Sequence, residues 1–565
     1  MPANSSTAAS YDLVIAGAGV SGLFAAWRLL RANPGLRVVI LEKLPCTGGR
    51  LQTTIVQVAD RQGHPQSVKD EEGGMRFRGG DEMPFINTLV KALGLEGDKV
   101  PFLMELKGTL QRYHFRGTAF TSENANAMWS QLYKLAPGET NQSAAGVLLG
   151  VLLGVLQATE NWQYQQQFHG TVHDHPDTKI PSGAEEWQIF RNRCTFGGTT
   201  MNQWGFWALL RWARLPGGAT GLSSECIEWL EHAIGFMGPT QAFINAGESL
   251  QIIFDFPAKA EFITLARGMQ SIPNNLETWL RSQPNVTFRF GEQVQGIEAV
   301  PGGGVTVYTD AGGYTAAQTI LALPHAALAA VIAKSKMLQG NAAFSKAVDS
   351  VQDMFLSKIG LYYDQRWWHG NAINLSCGAN FTDLPLGSVY CFQQYPKDLV
   401  RDASYDGPAA LTIYNDYDRA AFWMEMQNLG GPYQSPQGIA QPANTQAAST
   451  VLVAEATRQL MALFSLPPQV PPPTPVLSTF RVWGAGQYGH GYHQYKIGFD
   501  DMKDVDPHIW NPVPGTVFVC NESWSPEQGW IEGALMATDR VLTMGFQLPP
   551  FCPPTPKKLR RHHIA

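Results

Sequence analysis

The sequence has no apolar run long enough to span a bilayer and no recognisable secretory leader. The run AAGVLLGVLLGVL at 144–156 is 13 residues long, short of the roughly 20 that a membrane-spanning helix needs. It predicts a buried helix or, alternatively, an apolar entrance to a substrate tunnel. The N-terminal MPANSSTAAS has no basic segment followed by an apolar core, so we expect no membrane span and a cytoplasmic location.

Cysteine and charge are also sparse. The seven cysteines form no C-x-x-C pair and no regular framework, which predicts reduced thiols. Charged residues make up 16% of the chain and hydrophobic residues 44%, which is a globular composition. The net charge of -6 argues against nucleic acid as a general partner, and we interpret the basic tail KKLRRHH at 557–563 as a solvated terminus.

Several catalytic and metal-binding patterns are missing. The sequence contains no P-loop, no zinc-ligand spacing and no Ser-His-Asp order. The histidines at 169, 173 and 175 have a spacing that suits no metal site, so we expect no metal.

What is present, near the N-terminus, is a dinucleotide-binding pattern. Gly17, Gly19 and Gly22 stand in G-x-G-x-x-G order after an apolar run, and Glu42 ends the next apolar run, about 20 residues beyond the last glycine. Gly17 permits the turn, Gly19 lets the backbone approach a pyrophosphate, and Gly22 lets the helix pack against its strand. The helix N-terminus attracts phosphate, and Glu42 can accept hydrogen bonds from ribose hydroxyls.

A second glycine motif follows directly. LPCTGGR places Gly48, Gly49 and Arg50 shortly after Glu42, which combines close backbone approach with a fixed cation beside a pyrophosphate. Its position on the same unit favours FAD over NAD as the cofactor. An ordinary turn is the alternative interpretation.

The cofactor-binding domain is predicted to be discontinuous. Strand-like segments recur at 287–300, 316–324 and 515–522, the last followed by a helical pattern at 531–546. At 565 residues we expect two or three domains. The predicted fold class is α/β: a Rossmann-like FAD-binding domain (11–78, 255–335 and 500–546), an α+β substrate-binding domain (79–124, 241–254 and 336–499), a helical domain (125–240) and flexible termini (1–10 and 550–565).

These motifs together resemble the FAD-dependent amine oxidase superfamily, whose C-terminal strand-Glu-helix element is matched by FVCNESWSPEQGWIEGALMATDR. The resemblance implies that Glu522 holds the ribityl or pyrophosphate part of the flavin. It also implies that Trp530 and Ile531 lie at the flavin, where the following helix begins. The family usually reads F-A-G-E before this point, whereas this chain reads V-C-N-E.

The segment EGGMRFR is similar to the G-x-M-R segment of L-amino-acid oxidases. By that resemblance Gly74, Met75 and Arg76 pass beside the flavin, and Arg76 pairs with the substrate α-carboxylate. A guanidinium suits this role because it offers two parallel donors to a carboxylate. The alternative is a structural ion pair between Arg76 and one of the nearby acids, Glu71, Glu72, Asp81 or Glu82.

Further matches extend the same resemblance. SKIGLYYDQRWW is similar to the K-I-x-L strand whose lysine reaches flavin N5 through a water, a role that falls to Lys358. FTDLPLGSVYCFQQYP resembles the region that supplies a tyrosine hydroxyl to the carboxylate, where Tyr390 fits best and Tyr395 is a rival. Val294 matches the position whose backbone holds the adenine.

The resemblance implies oxidative deamination of an L-amino acid, with hydride passing from Cα to flavin N5 and O2 as the second substrate. The products are a 2-oxo acid, ammonia and hydrogen peroxide. The expected partners are small molecules, with a homodimer as a possible assembly. Three alternatives stay open: a flavin amino-acid 2-monooxygenase that forms an amide, a monoamine or polyamine oxidase, and a flavin-binding scaffold without chemistry.

Overall fold

Two seven-stranded sheets and a section of helices, each with its own apolar core, make up the chain. The computed structural model describes residues 10–102, 110–172, 175–212, 221–240, 243–256, 261–368, 378–392, 405–470 and 472–552.

The first sheet is assembled from the start, middle and end of the chain, as predicted. Its strands are, in spatial order, Val286–Phe290, Val38–Glu42, Ser10–Ala16, Gly313–Leu321, Val305–Thr309 and Val294–Ala299, with Val517–Val519 pairing to Gly313–Leu321. The first four and Val517–Val519 run parallel, whereas the last two add an antiparallel hairpin.

Both faces of this sheet are covered, which explains its continuous apolar strands. Leu13 and Ile15 face a core that contains the helices Val20–Ala32, Ser271–Arg281 and Ile531–Phe546. Val14 and Ala16 face the opposite core, where the helices His325–Ala333, Lys336–Gln339 and Ala342–Val348 pack. The helix predicted over 531–546 is confirmed.

The second sheet carries the helices Tyr417–Gln427 and Thr450–Leu463 on one face, and the helices Ala125–Leu132 and Ser224–Ala233 pack against Phe115 on its opposite face, near one edge. Its strands are, in spatial order, Leu477–Trp483, Leu356–Tyr363, Ala409–Asp416, Ser388–Phe392, Asn380–Thr382, Arg112–Phe115 and Thr118–Thr121. Ile359 and Leu361 pack into the core shared with the helices Tyr417–Gln427 and Thr450–Leu463. Because side chains alternate along a strand, Lys358 and Gly360 face the other way.

Smaller elements connect these two sheets. A hairpin of Thr53–Ala59 and Pro65–Glu71, which the sequence analysis does not predict, runs into the G-G-M-R segment. Two further small sheets and one helix lie in this part of the molecule: Phe77–Arg78 with Phe262–Leu265 and Lys99–Pro101, Val351–Met354 with Tyr492–Tyr495, and the helix Pro84–Ala92. Two small hairpins lie in the helical section: Gly170–Val172 with His175–Ile180, and Thr195–Phe196 with Thr199–Thr200.

The section 125–240, which is predicted as a helical domain, is mostly helical. Its helices are Ala125–Leu132, Ala144–Leu156, Trp162–Gln165, Ala184–Arg193, Phe206–Trp212, Ser224–Ala233 and, beyond it, Ala246–Phe254. The apolar run forms the helix Ala144–Leu156, largely buried. Within the described ranges no single helix is long and apolar enough to cross a membrane. Ala144–Leu156 and Thr159–Gln165 reach that length and composition only as a pair, bent by 78°.

Cysteine pairing departs from expectation at one place. Cys391, in the strand Ser388–Phe392, is disulfide-bonded, so the expectation of reduced thiols is wrong for this residue. The thiols that the structure describes as free are those of Cys46, Cys194, Cys226, Cys520 and Cys552.

Gly22 tests the packing of the first helix. A methyl group added at Gly22 would overlap the carbonyl oxygen of Gly17 and press on Ile15 at 3.1 Å. We therefore predict that Gly22→Ala lowers stability by about 1–3 kcal/mol, measured as a lower midpoint of thermal denaturation. The matched control is Gly340→Ala, where the added methyl meets no atom within 4 Å. Equal midpoints for the two variants would contradict this packing.

Candidate active site

The glycine turn has the geometry that a bound pyrophosphate requires. Gly17 has φ +104°, and a side chain there would approach the Ala322 carbonyl oxygen at 2.7 Å. Gly19 is the N-cap residue of the helix Val20–Ala32. Because glycine has no side chain, it cannot accept a hydrogen bond from the first N–H groups of this helix. Gly19 also lies against Gly48, with which it forms a β-bridge. Two side-chain-free backbones thus meet at an uncapped helix N-terminus.

Glu42 stands beside this turn. One carboxylate oxygen accepts the Ala18 N–H and the other accepts the Leu44 N–H, both at 2.9 Å. Burial raises the pKa of Glu42, and these two backbone hydrogen bonds oppose that shift. Each oxygen keeps a lone pair, so the carboxylate can still accept hydrogen bonds from hydroxyl groups of a ligand.

A cavity of about 500 Å³ joins these groups to the second sheet. Most of the predicted site residues line it: Gly17, Gly19, Glu42, Gly49, Arg50, Gly74, Met75, Arg76, Val294, Lys358, Glu522, Trp530 and Ile531. Gly22 lies behind the wall, in the packing role predicted for it, and Tyr390 is not among the lining residues.

Arg50 and Glu522 meet at the wall of the cavity. Arg50 Nη1 donates to Glu522 Oε2 at 2.6 Å, and Arg50 Nη2 donates to Asn521 at 3.2 Å. Glu522 also accepts from the Gly529 N–H and from His493. Burial alone would raise the pKa of Glu522, but Arg50, His493 and these hydrogen bonds lower it to about 2. The carboxylate is therefore ionised and fixes the arginine.

Arg76 is a buried cation with no carboxylate partner among the described residues. Its side chain lies over four aromatic rings, those of Phe102, Phe256, Phe262 and Tyr390, at 4.9–5.3 Å from the ring centroids. Its Nε and Nη1 atoms are buried and make no hydrogen bond within the part of the chain that the structure describes. Such a group is costly unless a ligand anion pairs with it.

Three of the four acids proposed as alternative partners of Arg76 have other partners. Glu72 pairs with Arg481 at 2.5 Å. Glu71 accepts hydrogen bonds from Thr53 and from the Met269 N–H. Glu82 lies 3.6 Å from Arg78.

Arg78, two residues along, has the opposite environment. It is buried and contacts Glu527 at 2.5 Å and Asp255 at 3.3 Å. Burial lowers the pKa of Arg78, but the surrounding carboxylates outweigh it and raise the pKa overall. One arginine of the EGGMRFR segment is thus structural, and the other faces the cavity.

Lys358 supplies a second cation to the same part of the cavity. Its Nζ donates to the carbonyl oxygens of Glu71 and Gly73, at 2.8 and 2.6 Å, and lies 4.7 Å from the centroid of the Tyr414 ring. Burial lowers the pKa of Lys358 to about 8, against the pull of Asp70 and Glu71. Since an ammonium has three donors, one remains for a water or a ligand.

The tyrosine assignment changes. Tyr390 is buried with its ring against Arg76, and its rival Tyr395 lies outside the described residues. Tyr414, on the neighbouring strand, lines the cavity. Burial raises the pKa of Tyr414, whereas the charge of Arg76 lowers it. Tyr414 is thus a neutral hydroxyl close to Arg76, a residue that the sequence analysis missed.

Trp530 closes the aromatic surface around Arg76. Its ring is nearly parallel to Phe262, at 11° with centroids 6.3 Å apart, and lies 5.3 Å from Phe256. The indole N–H donates to Asp255 at 3.3 Å, which fixes the ring at the start of the helix Ile531–Phe546.

The chain is similar to a known protein family over most of its length. A family model described as "Flavin containing amine oxidoreductase" matches residues 20–541. A curated relative, an uncharacterised protein of Acanthamoeba polyphaga mimivirus, is 22% identical over 563 residues, covering 95% of this chain and 94% of that protein.

Solved structures of putrescine oxidase have a similar fold. The wild-type enzyme bound to putrescine has a TM-score of 0.58 and 16% identity, covering 96% of this chain and 100% of that one. A double mutant from a redesign of its cofactor binding has a TM-score of 0.58 and 15% identity, covering 95% and 99%. The likeness confirms the predicted fold class, a discontinuous Rossmann-like α/β domain with α+β and helical parts.

The contrast between Arg76 and Arg78 predicts opposite effects on stability. Arg78→Met leaves Glu527 and Asp255 buried without their cation, and should lower stability by about 3–5 kcal/mol. Arg76→Met removes an unpartnered cation from an aromatic surface, and should leave the thermal midpoint unchanged or raise it. Thermal denaturation of both variants checks this. A fall with Arg76→Met as large as that with Arg78→Met would contradict the absence of a partner.

Proposed function

We propose that this chain, which belongs to the flavin-containing amine oxidoreductase family, oxidatively deaminates L-α-amino acids. One amino acid, one O2 and one water are converted into a 2-oxo acid, ammonia and hydrogen peroxide. The observation that carries the proposal is the Arg76 guanidinium in the wall of the cavity, which has no carboxylate partner among the described residues.

The cofactor of the family is FAD, and the cavity fits it. The uncapped helix N-terminus at Gly19 and the Arg50 cation suit the diphosphate. Glu42 has lone pairs for ribose hydroxyls, and Val294 lines the wall where the adenine is expected. When bound, FAD supplies the two-electron acceptor that converts the amine-bearing carbon to an imine and delivers the electrons to O2.

Arg76 supports an amino acid as the substrate rather than a simple amine. A carboxylate entering the cavity would pair with a cation that is already buried and orientated by aromatic rings. The guanidinium of Arg76 is therefore already desolvated in the folded protein, before a substrate binds. Bidentate pairing fixes the orientation of Cα as well as the position of the carboxylate. The Tyr414 hydroxyl can donate a hydrogen bond to the same carboxylate, which is the role expected of Tyr390.

The charge on the surrounding wall supports the same assignment. Near Arg76 the described lining side chains are Phe236, Ile252, Phe256, Lys358, Tyr414 and Trp530, which include a cation and no carboxylate. A diamine would need acidic groups to hold its second ammonium. The likeness to putrescine oxidase, at 15–16% identity, concerns the fold alone.

Lys358 is placed to act on the oxygen half of the reaction. Its Nζ carries a proton below its pKa of about 8 and can stabilise the negative charge that develops on O2 as it accepts electrons. Above that pH the stabilising charge is lost.

The decisive test compares each amino acid with its decarboxylated amine. A peroxide-coupled screen of L- and D-amino acids and amines identifies the best substrate. We expect the wild-type kcat/KM for the L-amino acid to exceed that for its amine by at least about a hundredfold, because a buried charge pair is lost with the amine. Arg76→Met should abolish this preference for the L-amino acid over its amine.

Arg76→Lys is the matched control. It keeps the charge but loses the planar fork, and should retain part of the preference. A wild-type enzyme that prefers amines, or an unchanged ratio in Arg76→Met, would contradict the proposal. Formation of an amide instead of a 2-oxo acid would indicate the monooxygenase alternative.

A pH profile tests Lys358. We predict that kcat/KM for O2 falls as pH rises through about 8, since the Lys358 ammonium then loses its proton. Lys358→Met should lower this constant by about tenfold or more and remove the inflection. Lys346→Met, at a half-exposed surface lysine, serves as the control and should retain the wild-type profile. An inflection that survives in Lys358→Met would show that another group titrates.

A further inference from the structure

We propose that His493 is a positioning residue for FAD. In this proposal its imidazolium holds Glu522 in place, and Glu522 in turn holds Arg50 toward the cofactor diphosphate. The inference rests on the flavin chemistry of the family and is independent of the substrate.

The imidazole of His493 lies between two carboxylates. His493 belongs to the strand Tyr492–Tyr495 and is fully buried. Its Nδ1 is 2.9 Å from Glu522 Oε2, and its Nε2 is 3.0 Å from Asp353 Oδ1. An imidazole that lies between two carboxylates is favoured in its doubly protonated form, because a positive charge then stands between two negative ones and no ring lone pair faces a carboxylate oxygen.

The Glu522 carboxylate has no lone pair left to accept a hydrogen bond from a ligand donor. Its Oε2 accepts from Arg50 and from His493 Nδ1. Its Oε1 accepts from the backbone N–H groups of His493 and Gly529, at 3.1 and 2.9 Å. Glu522 therefore acts on an anionic cofactor through Arg50, whose guanidinium it orientates, and His493 fixes two of its four hydrogen bonds.

The charges show why the proton on His493 matters. With His493 protonated, the row Asp353, His493, Glu522 and Arg50 alternates in sign and is neutral in total. Without this proton the row carries one net negative charge beside a site that must accept a diphosphate. Loss of the proton should therefore weaken FAD binding.

Six groups face or adjoin His493, and they favour its charged form overall. They are Glu522 and Ser523 after the strand Val517–Val519, Asp353 on Val351–Met354, Arg50 on the glycine loop, His325 at the start of its helix and His490 on the adjoining loop. Burial lowers the pKa of His493, but Glu522 and Asp353 outweigh it and raise the pKa above the ordinary value.

The consequence can be measured on the holoenzyme as the rate of FAD release, followed by the fluorescence of the freed flavin. We expect His493→Gln to release FAD about tenfold faster at pH 7, equivalent to one pKa unit of lost interaction. Because the pKa of His493 is raised, wild-type release should accelerate as pH rises above the ordinary pKa of histidine, and His493→Gln should lose much of this dependence.

His64→Gln is the matched control for the change from histidine to glutamine. The His64 side chain is exposed at the turn of the hairpin formed by Thr53–Ala59 and Pro65–Glu71 and does not line the cavity, so the release profile of this variant should follow the wild type. Because Lys358 titrates in the same range, the comparison between variants decides the test rather than the wild-type slope. Wild-type release rates or a wild-type pH dependence in His493→Gln would overturn the proposal.

Asp353→Asn provides a second variant if His493→Gln does not fold. It removes one of the two carboxylates that keep His493 protonated, so the rise in FAD release should move to lower pH. An unmoved profile would overturn the proposal.

Discussion

Arg50 and Glu522 are 472 positions apart in the chain, and their side chains meet at 2.6 Å. This ion pair joins the loop after the second strand to the last strand of the first sheet, and both residues line the same cavity. The alignment of every other cofactor-binding group depends on this closure. Glu42, the glycine turn and Val294 come from the early and middle parts of the chain, whereas Glu522, Trp530 and Ile531 come from its last part.

The two ends of the cavity differ in how their charges are compensated. At the cofactor end, carboxylates and cations are paired and hydrogen-bonded, as Glu522 is with Arg50 and His493. At the other end, Arg76 faces aromatic rings, whereas Lys358 donates to two carbonyl oxygens and is attracted by Asp70 and Glu71. Within the described residues, the positive charge that lacks a carboxylate partner at this end is thus that of Arg76, where a carboxylate would bind. Folding completes the cofactor end, whereas a ligand completes the other end.

Sequence patterns predicted the parts of the site that depend on local backbone geometry. Gly17, Gly22 and the helix Ile531–Phe546 follow from turn sterics and periodicity, and these constraints act within a few residues. Tyr390 and Tyr414 lie on the same face of the second sheet, and the choice between them depends on the register of their two strands, which only the paired sheet defines. His493 was missed for a similar reason. A single histidine in YHQY carries no signal until Asp353 and Glu522 are brought beside it.

The arrangement of the first sheet has a consequence for biosynthesis. Its central strand Gly313–Leu321 pairs with Val517–Val519, and the helix that completes one of its cores ends at Phe546. During translation the first 500 residues take tens of seconds to appear, at about 5–20 residues per second. Throughout that time the pairing edge for Val517–Val519 stays open and Arg50 lacks its carboxylate. The nascent chain therefore lacks the closed geometry of the cofactor end until this region has been made.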